Sequence, residues 1–161
     1  FHAVHHSDTV VDVSTTLREH PAENIARLSF TLVWVLVSGI AFWMFMLRQI
    51  IQAVTTLFAH MNYRLPDKID RVIGLVFITP NLHQVHHHYK KPYTDCNYGD
   101  VLSIWDRIFG TFRRLPSDKL VFGVDTYMGD TETTSFISLI KAPFRRYRSI
   151  KKDEESKSST I

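Results

Sequence analysis

Hydrophobic residues are concentrated in one long segment in the N-terminal half of this chain. No charged residue occurs from Leu28 to Leu47, and a mostly apolar run continues beyond Arg48 to His60. Twenty uncharged residues are enough for one helix to cross a bilayer. The pattern therefore predicts a membrane segment over about residues 25–60, and the alternative is a buried core helix of a soluble protein.

Histidines lie on both sides of this segment, and their position bears on how the segment crosses the membrane. If the two sets share one site, the chain must return to the side it left, because a single crossing would separate them by about 30 Å. We therefore predict a helical hairpin that turns near Ser38–Gly39. Arg48 would lie inside its second arm and would need a partner or a path to the interface.

The flanking segments also have helical patterns, so the expected fold class is all-α. Pro21 suits the first position of a helix, and Glu23 in the first turn is favoured by the helix dipole. The remaining predicted elements are a helix at Asp67–Ile78, a helix entered through Thr79–Pro80, a helix over 101–109 ended by Gly110, a short extended piece at Leu120–Tyr127, an interfacial amphipathic helix at 135–150 and a disordered polar tail at 151–161.

The helix after Thr79 contains a histidine motif. His83, His86 and His87 stand at i, i+3 and i+4, which places them within one sector of about 60° on a helix. His88 lies about 100° further round and points elsewhere. Three imidazoles on one side can hold a metal ion, so the spacing predicts a ligand set.

The same H-x-x-H-H spacing occurs at the start of the chain in His2, His5 and His6. Six convergent imidazoles exceed what one tetrahedral zinc ion can use, so the count favours two metal ions. HExxH is absent, which excludes the zinc-protease motif, and no Glu-x-x-His pair suggests a carboxylate-rich di-iron bundle. A histidine-dominated pair of metals at a membrane surface suggests oxygen chemistry on a lipid.

Composition limits the partners and the compartment. The 161 residues carry a net charge of +3, with a pI near 9.1, and the basic excess follows Arg113. A basic C-terminal flank beside an apolar segment suggests contact with anionic lipid on the cytoplasmic side. We find no nucleic-acid recognition motif and expect no nucleic-acid partner. Cys96 is the single cysteine, so no intrachain disulfide can form.

Five motifs resemble the fatty acid hydroxylase/sterol desaturase superfamily of membrane histidine-box oxygenases, and they look closest to bacterial members described as sterol desaturase family proteins. The motifs are FHAVHHSD with TTLREHPAE, FAHMN, TPNLHQVHHHY and NYGDVLSIWDRIFGTF, which lie within about residues 1–112. The resemblance assigns seven histidines to the catalytic metal site: His2, His5 and His6 as the second box, His83, His86 and His87 as the third, and His60 as the additional histidine after the hairpin.

The resemblance also implies a chemistry and a location. Two iron ions, for which zinc could substitute, would use O2 to hydroxylate or desaturate a lipid, either a fatty acyl chain or a sterol-like molecule. Electrons would come from an external ferredoxin- or cytochrome-type carrier that draws on NAD(P)H. The protein would be a multi-pass membrane protein with a cytoplasmic histidine-rich helical cap and a cytoplasmic C-terminus. Residues 1–150 would be the C-terminal part of the domain.

The chain departs from the family pattern because it lacks the first histidine box, H-x-x-x-H. Since it also begins inside a motif without Met, we expect a C-terminal fragment that is inactive alone. The alternatives are a non-catalytic relative and a transport-type membrane metal-binding protein. The angular position of His88 argues against ligation, whereas His20 could cap the helix that starts at Pro21 or bind metal.

Each ligand imidazole is expected to donate its other N–H to a carboxylate or a carbonyl, which fixes its tautomer. The candidate side-chain acceptors are Asp8, Asp12, Asn62, Asp100 and Asp106. Three aromatic residues late in the matched region are expected to pack rather than to contact substrate: Trp105, Phe109 and Phe112.

Overall fold

The described part of the chain is helical, which confirms the expected class for these residues. The computed structural model describes residues 1–125, 129 and 133–145. Within them there is no β-strand, and isolated bridges pair Phe77 with Leu102 and His88 with Phe122. The helices are α1 (Ala3–His6), α2 (Pro21–Ser38), α3 (Phe42–Ala59), α4 (Asp67–Ile73), α5 (Pro80–His86), α6 (Ile104–Ile108) and α7 (Phe136–Lys141), with 3₁₀ turns at Val13–Leu17, Ser117–Lys119 and Ala142–Phe144.

The two long helices, α2 and α3, are separated by a break at a glycine. Each has 18 residues, which at 1.5 Å per residue is about 27 Å. Gly39 follows α2 with a φ of 61°, in the left-handed region that glycine adopts without a steric cost. The uncharged run therefore forms parts of two helices, and the break lies where the sequence predicts the turn.

Both long helices expose their apolar side chains. No residue of α2 is buried, and Ala59 is the buried residue of α3. Trp34 and Phe42 are 68% and 75% exposed, which argues against the buried core helix of a soluble protein. Among the described residues, α3 is the one helix long and apolar enough to cross a membrane. The membrane hairpin and its orientation stay predictions.

The helices α1 and α5, which carry the two histidine triplets, form with the 3₁₀ turn Val13–Leu17 a unit that we call the cap, and this cap contacts α3. The 3₁₀ turn Val13–Leu17 and α5 both contact this helix, and Ala59 packs with Ile78, Leu82 and Phe112 in a small apolar cluster. Most of the buried side chains in the described residues are polar. Hydrogen bonds therefore organise the cap more than apolar packing does, which is the reverse of an ordinary soluble domain.

A buried carboxylate positions α5. Thr79 caps this helix, because its hydroxyl accepts the Leu82 N–H at 3.2 Å, and the same hydroxyl donates to Asp70. Asp70 is 1% exposed and forms an ion pair with Arg114. Pro80 occupies the first turn, as the sequence predicts. The buried Asp70 carboxylate thus joins α4 to the start of α5 and to the segment after α6.

Two predicted helices are too long. The helix expected over Asp67–Ile78 ends at Ile73, and the one expected over 101–109 is limited to α6. The reason is a backbone exchange between them: Ile78 donates to the Val101 carbonyl at 3.0 Å, and Ser103 donates to the Val76 carbonyl at 2.9 Å. Residues that pair across the two segments in this way cannot also continue their own helices.

The described residues after Leu120 form only short elements. The extended piece at Leu120–Tyr127 has bridge residues at Phe122 and Val124 and forms no strand within its described part, and residues 126–127 lie outside the described residues. The amphipathic helix expected over 135–150 is α7 followed by a 3₁₀ turn. Residues 146–150 and the tail at 151–161 lie outside the described residues.

Candidate metal centre

The structure brings together all seven histidines of the predicted set, and it divides them into two groups. Each group takes members from both sequence triplets, because α1 lies against α5 at the C-terminal end of α3. The first group is His5, His60, His83 and His87, and the second group is His2, His6 and His86.

The first group is centred on His60, which follows the last residue of α3. The Nε2 atom of His60 lies 3.0 Å from Nε2 of His5, 2.9 Å from Nε2 of His83 and 3.3 Å from Nε2 of His87. His83 and His87 are 3.2 Å apart through their Nε2 atoms. Four ring nitrogens therefore converge on one small volume.

The second group lies beside the first. Nε2 of His6 is 3.1 Å from Nε2 of His86, and the ring centroids of His2 and His6 are 4.7 Å apart. One nitrogen from each of the three residues lies within 4.8 Å of the others. The rings of His6 and His87 stack at 4.6 Å, so the two groups are in direct contact.

Backbone carbonyls set the tautomers of three of these rings. Nδ1 of His5 donates to the Thr15 carbonyl at 3.0 Å, and Nδ1 of His60 donates to the Thr56 carbonyl at 2.8 Å. His86 Nδ1 donates to a third carbonyl, that of Cys96, at 2.7 Å. A carbonyl only accepts, so in each neutral ring Nδ1 carries the proton and Nε2 is a free lone pair. These lone pairs face the centres of the groups.

Burial keeps these imidazoles neutral. It is the largest cause that lowers the pKa of His5 to about 3 and that of His86 to about 4. Burial also lowers the pKa of His60, His83 and His87, because desolvation disfavours the charged form. At neutral pH the rings are therefore in the protonation state that binds metal.

The donor set fits metal ions. Two lone pairs that face each other at 3.0 Å repel, and a cation between them turns the repulsion into coordination. Metal–nitrogen bonds of about 2.0–2.1 Å give nitrogen–nitrogen edges of roughly 2.9–3.4 Å in octahedral or tetrahedral sites, close to the separations in the first group. His6 Nδ1 and His87 Nδ1 are buried without a hydrogen-bond partner. Neutral imidazole nitrogens suit iron, zinc or copper.

One supporting carboxylate differs from those predicted. Nδ1 of His2 lies 2.9 Å from a carboxylate oxygen of Glu23, a residue that from the sequence is expected only to interact favourably with the helix dipole. The motif TTLREHPAE contained this signal. In the described structure, none of the five predicted side-chain acceptors contacts a histidine: Asp8, Asp12, Asn62, Asp100 and Asp106. Asp106, for example, accepts the backbone N–H groups of Tyr98 and Gly99.

Two histidines lie outside both groups. His20 caps α2, since its Nδ1 accepts the Ala22 N–H at 3.1 Å and its Nε2 donates to the Ile140 carbonyl at 3.1 Å. Both ring nitrogens of His20 are therefore occupied. Nδ1 of His88 accepts the Val121 N–H at 3.1 Å, so this ring points away from the groups, as its angular position predicts.

The aromatic residues late in the matched region have different environments. Phe112 packs against the apolar cluster near Ala59, as predicted. Trp105 and Phe109 are instead 53% and 74% exposed, so the packing prediction is wrong for these two within the described structure. Trp105 in α6 and Phe109, which follows this helix, therefore point away from the buried part of the structure.

The fold and the site define a class of helical proteins in which buried imidazoles converge in two adjacent groups. The family model described as fatty acid hydroxylase matches residues 1–111, and the chain belongs to this family. The sequence-based resemblance is thereby confirmed.

Similar proteins are lipid-modifying enzymes by name. The chain is 32% identical over 139 residues to an alkylglycerol monooxygenase of Danio rerio, covering 83% of the chain and 29% of the relative. It is 28% identical over 146 residues to the ornithine lipid hydroxylase OlsE of Rhizobium tropici, covering 91% and 42%. It is 31% identical over 127 residues to the alkylglycerol monooxygenase of Homo sapiens, covering 76% and 26%. The chain thus spans less than half the length of these relatives. No solved structure matches it.

Proposed function

We propose that this chain forms the metal-binding part of a membrane oxygenase that oxidises a lipid with O2 and electrons from an external carrier. The observation that carries the proposal is the convergence of imidazole lone pairs in two adjacent groups, in which every ring except that of His2 is buried or half-buried. We assign one iron ion to His5, His60, His83 and His87 and the other to His2, His6 and His86.

The chain's own residues have defined tasks. Two bound iron ions would supply the activation of O2 and the oxidation of an unactivated C–H bond. Six of the seven imidazoles hold the ions in neutral form because burial lowers their pKa: His5, His6, His60, His83, His86 and His87. The carbonyls of Thr15, Thr56 and Cys96 and the carboxylate of Glu23 keep the ring N–H groups turned outward. This arrangement fixes the ligand geometry before substrate binds.

The names of the relatives favour hydroxylation over desaturation. They are called monooxygenase and hydroxylase, and the names specify alkylglycerol and ornithine lipid. We therefore propose hydroxylation of a lipid with a polar head group, and desaturation is the competing outcome of an assay. The electrons would come from a ferredoxin- or cytochrome-type carrier that draws on NAD(P)H.

We further propose that α2 and α3 enter the membrane as a hairpin and that the cap and the C-terminus face the cytoplasm. The exposed apolar side chains of both helices support this. The meeting of α1 and α5 at the same end of α3 also supports it, because a single crossing would separate the two triplets.

A transport-type metal-binding protein is the second candidate. Transporters usually place polar ligands near the middle of spanning helices. Here the ligand nearest to a long helix is His60, which follows the last residue of α3. A non-catalytic relative is the third candidate, and the iron and product measurements below distinguish it from the oxygenase. The position of the ligands favours the oxygenase over the transporter.

The test compares the full-length protein with its His86→Ala variant after purification in detergent with iron, in an assay that supplies electrons from NAD(P)H through a ferredoxin-type carrier and its reductase. We expect His86→Ala to lower the iron content and to abolish incorporation of isotopically labelled O2 into lipid. The His88→Ala control should retain both, because His88 lies outside the groups. Retention of iron and product by His86→Ala would contradict the assignment. Full iron loading without labelled product across a panel of lipids would favour the non-catalytic or transport alternative.

A further inference from the structure

A crevice of about 700 Å³ lies between α2 and α3, within the size range of small-molecule sites. Polar residues recur along it at helical spacing, so they share one face of each helix although both helices are mainly apolar. These residues are Asn24, Arg27 and Thr31 on α2 and Arg48, Gln52 and Thr56 on α3. The inner walls of the helix pair therefore carry polar side chains among apolar ones, whereas the outer surface is apolar.

Two residues that line the crevice connect it to the histidine groups. Thr56 lines it, and the Thr56 carbonyl accepts the Nδ1–H of His60 from the first group. Arg27 on the opposite wall donates to Glu23 at 2.8 Å, and Glu23 is the carboxylate that contacts His2 of the second group. A molecule in the crevice is therefore separated from each group by one or two residues.

Two charges in the crevice lack an opposite charge beside them. Arg27 already forms ion pairs with two glutamates. Arg48 donates to the side-chain carbonyl of Gln49, and Asp100 accepts from the Gln52 amide at 3.1 Å. Within the described residues, neither Arg48 nor Asp100 forms an ion pair. The Arg48 guanidinium and the Asp100 carboxylate thus both line the crevice, and each is hydrogen-bonded to a neutral side-chain amide.

We propose that this crevice binds the zwitterionic head group of the lipid substrate, with the anionic group at Arg48 and the cationic group at Asp100. The proposal rests on the proposed function and names its substrate class. A guanidinium matches the planar acceptor geometry of a phosphate or carboxylate, and an arginine in an apolar helix is costly unless a partner is supplied. A purely anionic head group would leave Asp100 unmatched.

The crevice also has a place for the adjoining hydrocarbon. Leu28, Phe45 and Leu57 line it alongside the polar residues. A lipid can therefore place its head group against the charged side chains and its chain against apolar ones. An amphiphile fits this lining better than a small soluble ion does.

The experiment measures lipid binding to the metal-free, full-length protein in neutral detergent by native mass spectrometry. Three probes with matched acyl chains are used: phosphatidylethanolamine, which is zwitterionic, phosphatidic acid, which is anionic, and diacylglycerol, which is neutral. We expect the wild type to prefer the zwitterion to the neutral lipid by about tenfold or more, as charge-assisted hydrogen bonds imply. Arg48→Gln should remove the preference for both charged lipids. The wild type should also prefer the zwitterion to the anion, because only the zwitterion has a cationic group for Asp100. Asp100→Asn should remove this second preference and keep the first.

The controls separate the possible failures. Arg71→Gln makes the same chemical change at an exposed position outside this crevice and should keep the wild-type order. If Arg48→Gln does not fold, Arg48→Lys should retain the order with a smaller ratio. A wild type without preference, or an Arg48 variant with the full preference, would overturn the proposal. Competition by inorganic phosphate alone would reveal a free-anion site and would also overturn it. Since these measurements need no iron and no turnover, they stay informative if the oxygenase proposal fails.

Discussion

Nε2 of His5 and Nε2 of His60 lie 3.0 Å apart, although α2 and α3 separate the two residues in the chain. Both rings donate their Nδ1 proton to a backbone carbonyl, so the two facing atoms are both acceptors. Two acceptors in contact are unfavourable without a proton or a cation between them. The folded cap should therefore be stabilised by metal.

We expect iron or zinc to raise the thermal unfolding temperature of the metal-free, full-length protein. A ligand that binds only the folded state at 100 times its Kd contributes about 2.7 kcal/mol. His60→Ala should lose the part of this increase that comes from the first group, because His60 contacts the three other ligands of that group. Differential scanning fluorimetry with added metal measures the shift. His88→Ala is the control, and an equal shift in His60→Ala and in the wild type would contradict the prediction.

Glu23→Gln should weaken metal binding in the second group. The carboxylate that accepts from His2 becomes a neutral amide, and loss of such a partner commonly costs about 10- to 100-fold in affinity. Competition with a chelator measures the change. Glu19→Gln is a matched control, because Glu19 pairs with Arg27 but does not contact a histidine in the described structure. Equal loss in both variants would show that the Arg27 ion pairs, rather than the contact with His2, set the affinity.

His20→Asn should leave the metal content unchanged. Asparagine can replace the cap at the start of α2, whereas His20→Ala removes it and should cost about 1 kcal/mol of stability. Metal analysis together with thermal unfolding separates the two roles. Loss of one metal ion in His20→Asn would mean that His20 is a ligand.

Asp70→Asn should destabilise the cap. Asp70 is buried and accepts from Thr79 and Arg114, and hydrogen bonds to a charged group contribute about 1.5–3 kcal/mol each. Arg114 is partly exposed, so solvent screening reduces its share, and we expect a total loss of about 2–3 kcal/mol. Denaturant unfolding measures this loss. Asp67→Asn, at an exposed position of the same helix, should change the free energy of unfolding by less than about 0.5 kcal/mol.

Cys96 should resist alkylation in the folded protein. Burial, assisted by the nearby Asp106 carboxylate, raises the pKa of its thiol from 9.0 to about 12. The thiolate is the reactive form, so its population at pH 8 falls by about a thousandfold. Labelling with iodoacetamide, followed by mass spectrometry, should be slow in the native protein and fast after unfolding. Rapid native labelling would contradict the burial of Cys96.

Local features of the sequence determined the helix boundaries that depend on one residue. Gly39 ends α2 because it adopts a positive φ, and Thr79 begins α5 because its hydroxyl caps the helix. The spacing of His83, His86 and His87 likewise placed three imidazoles on one side of a helix and left His88 outside. These predictions succeeded because each depends on residues within about one helical turn.

The tertiary structure alone decided how the histidines are divided. The triplets in the sequence suggest two equal halves, yet His5 joins His83 and His87 while His86 joins His2 and His6. The division depends on how α1 lies against α5 and on ring orientation, which backbone carbonyls set for His5, His60 and His86, and a backbone carbonyl has no signature in the sequence. The same reason explains why the ends of α4 and α6 were missed, since their backbone groups pair across segments far apart in the chain.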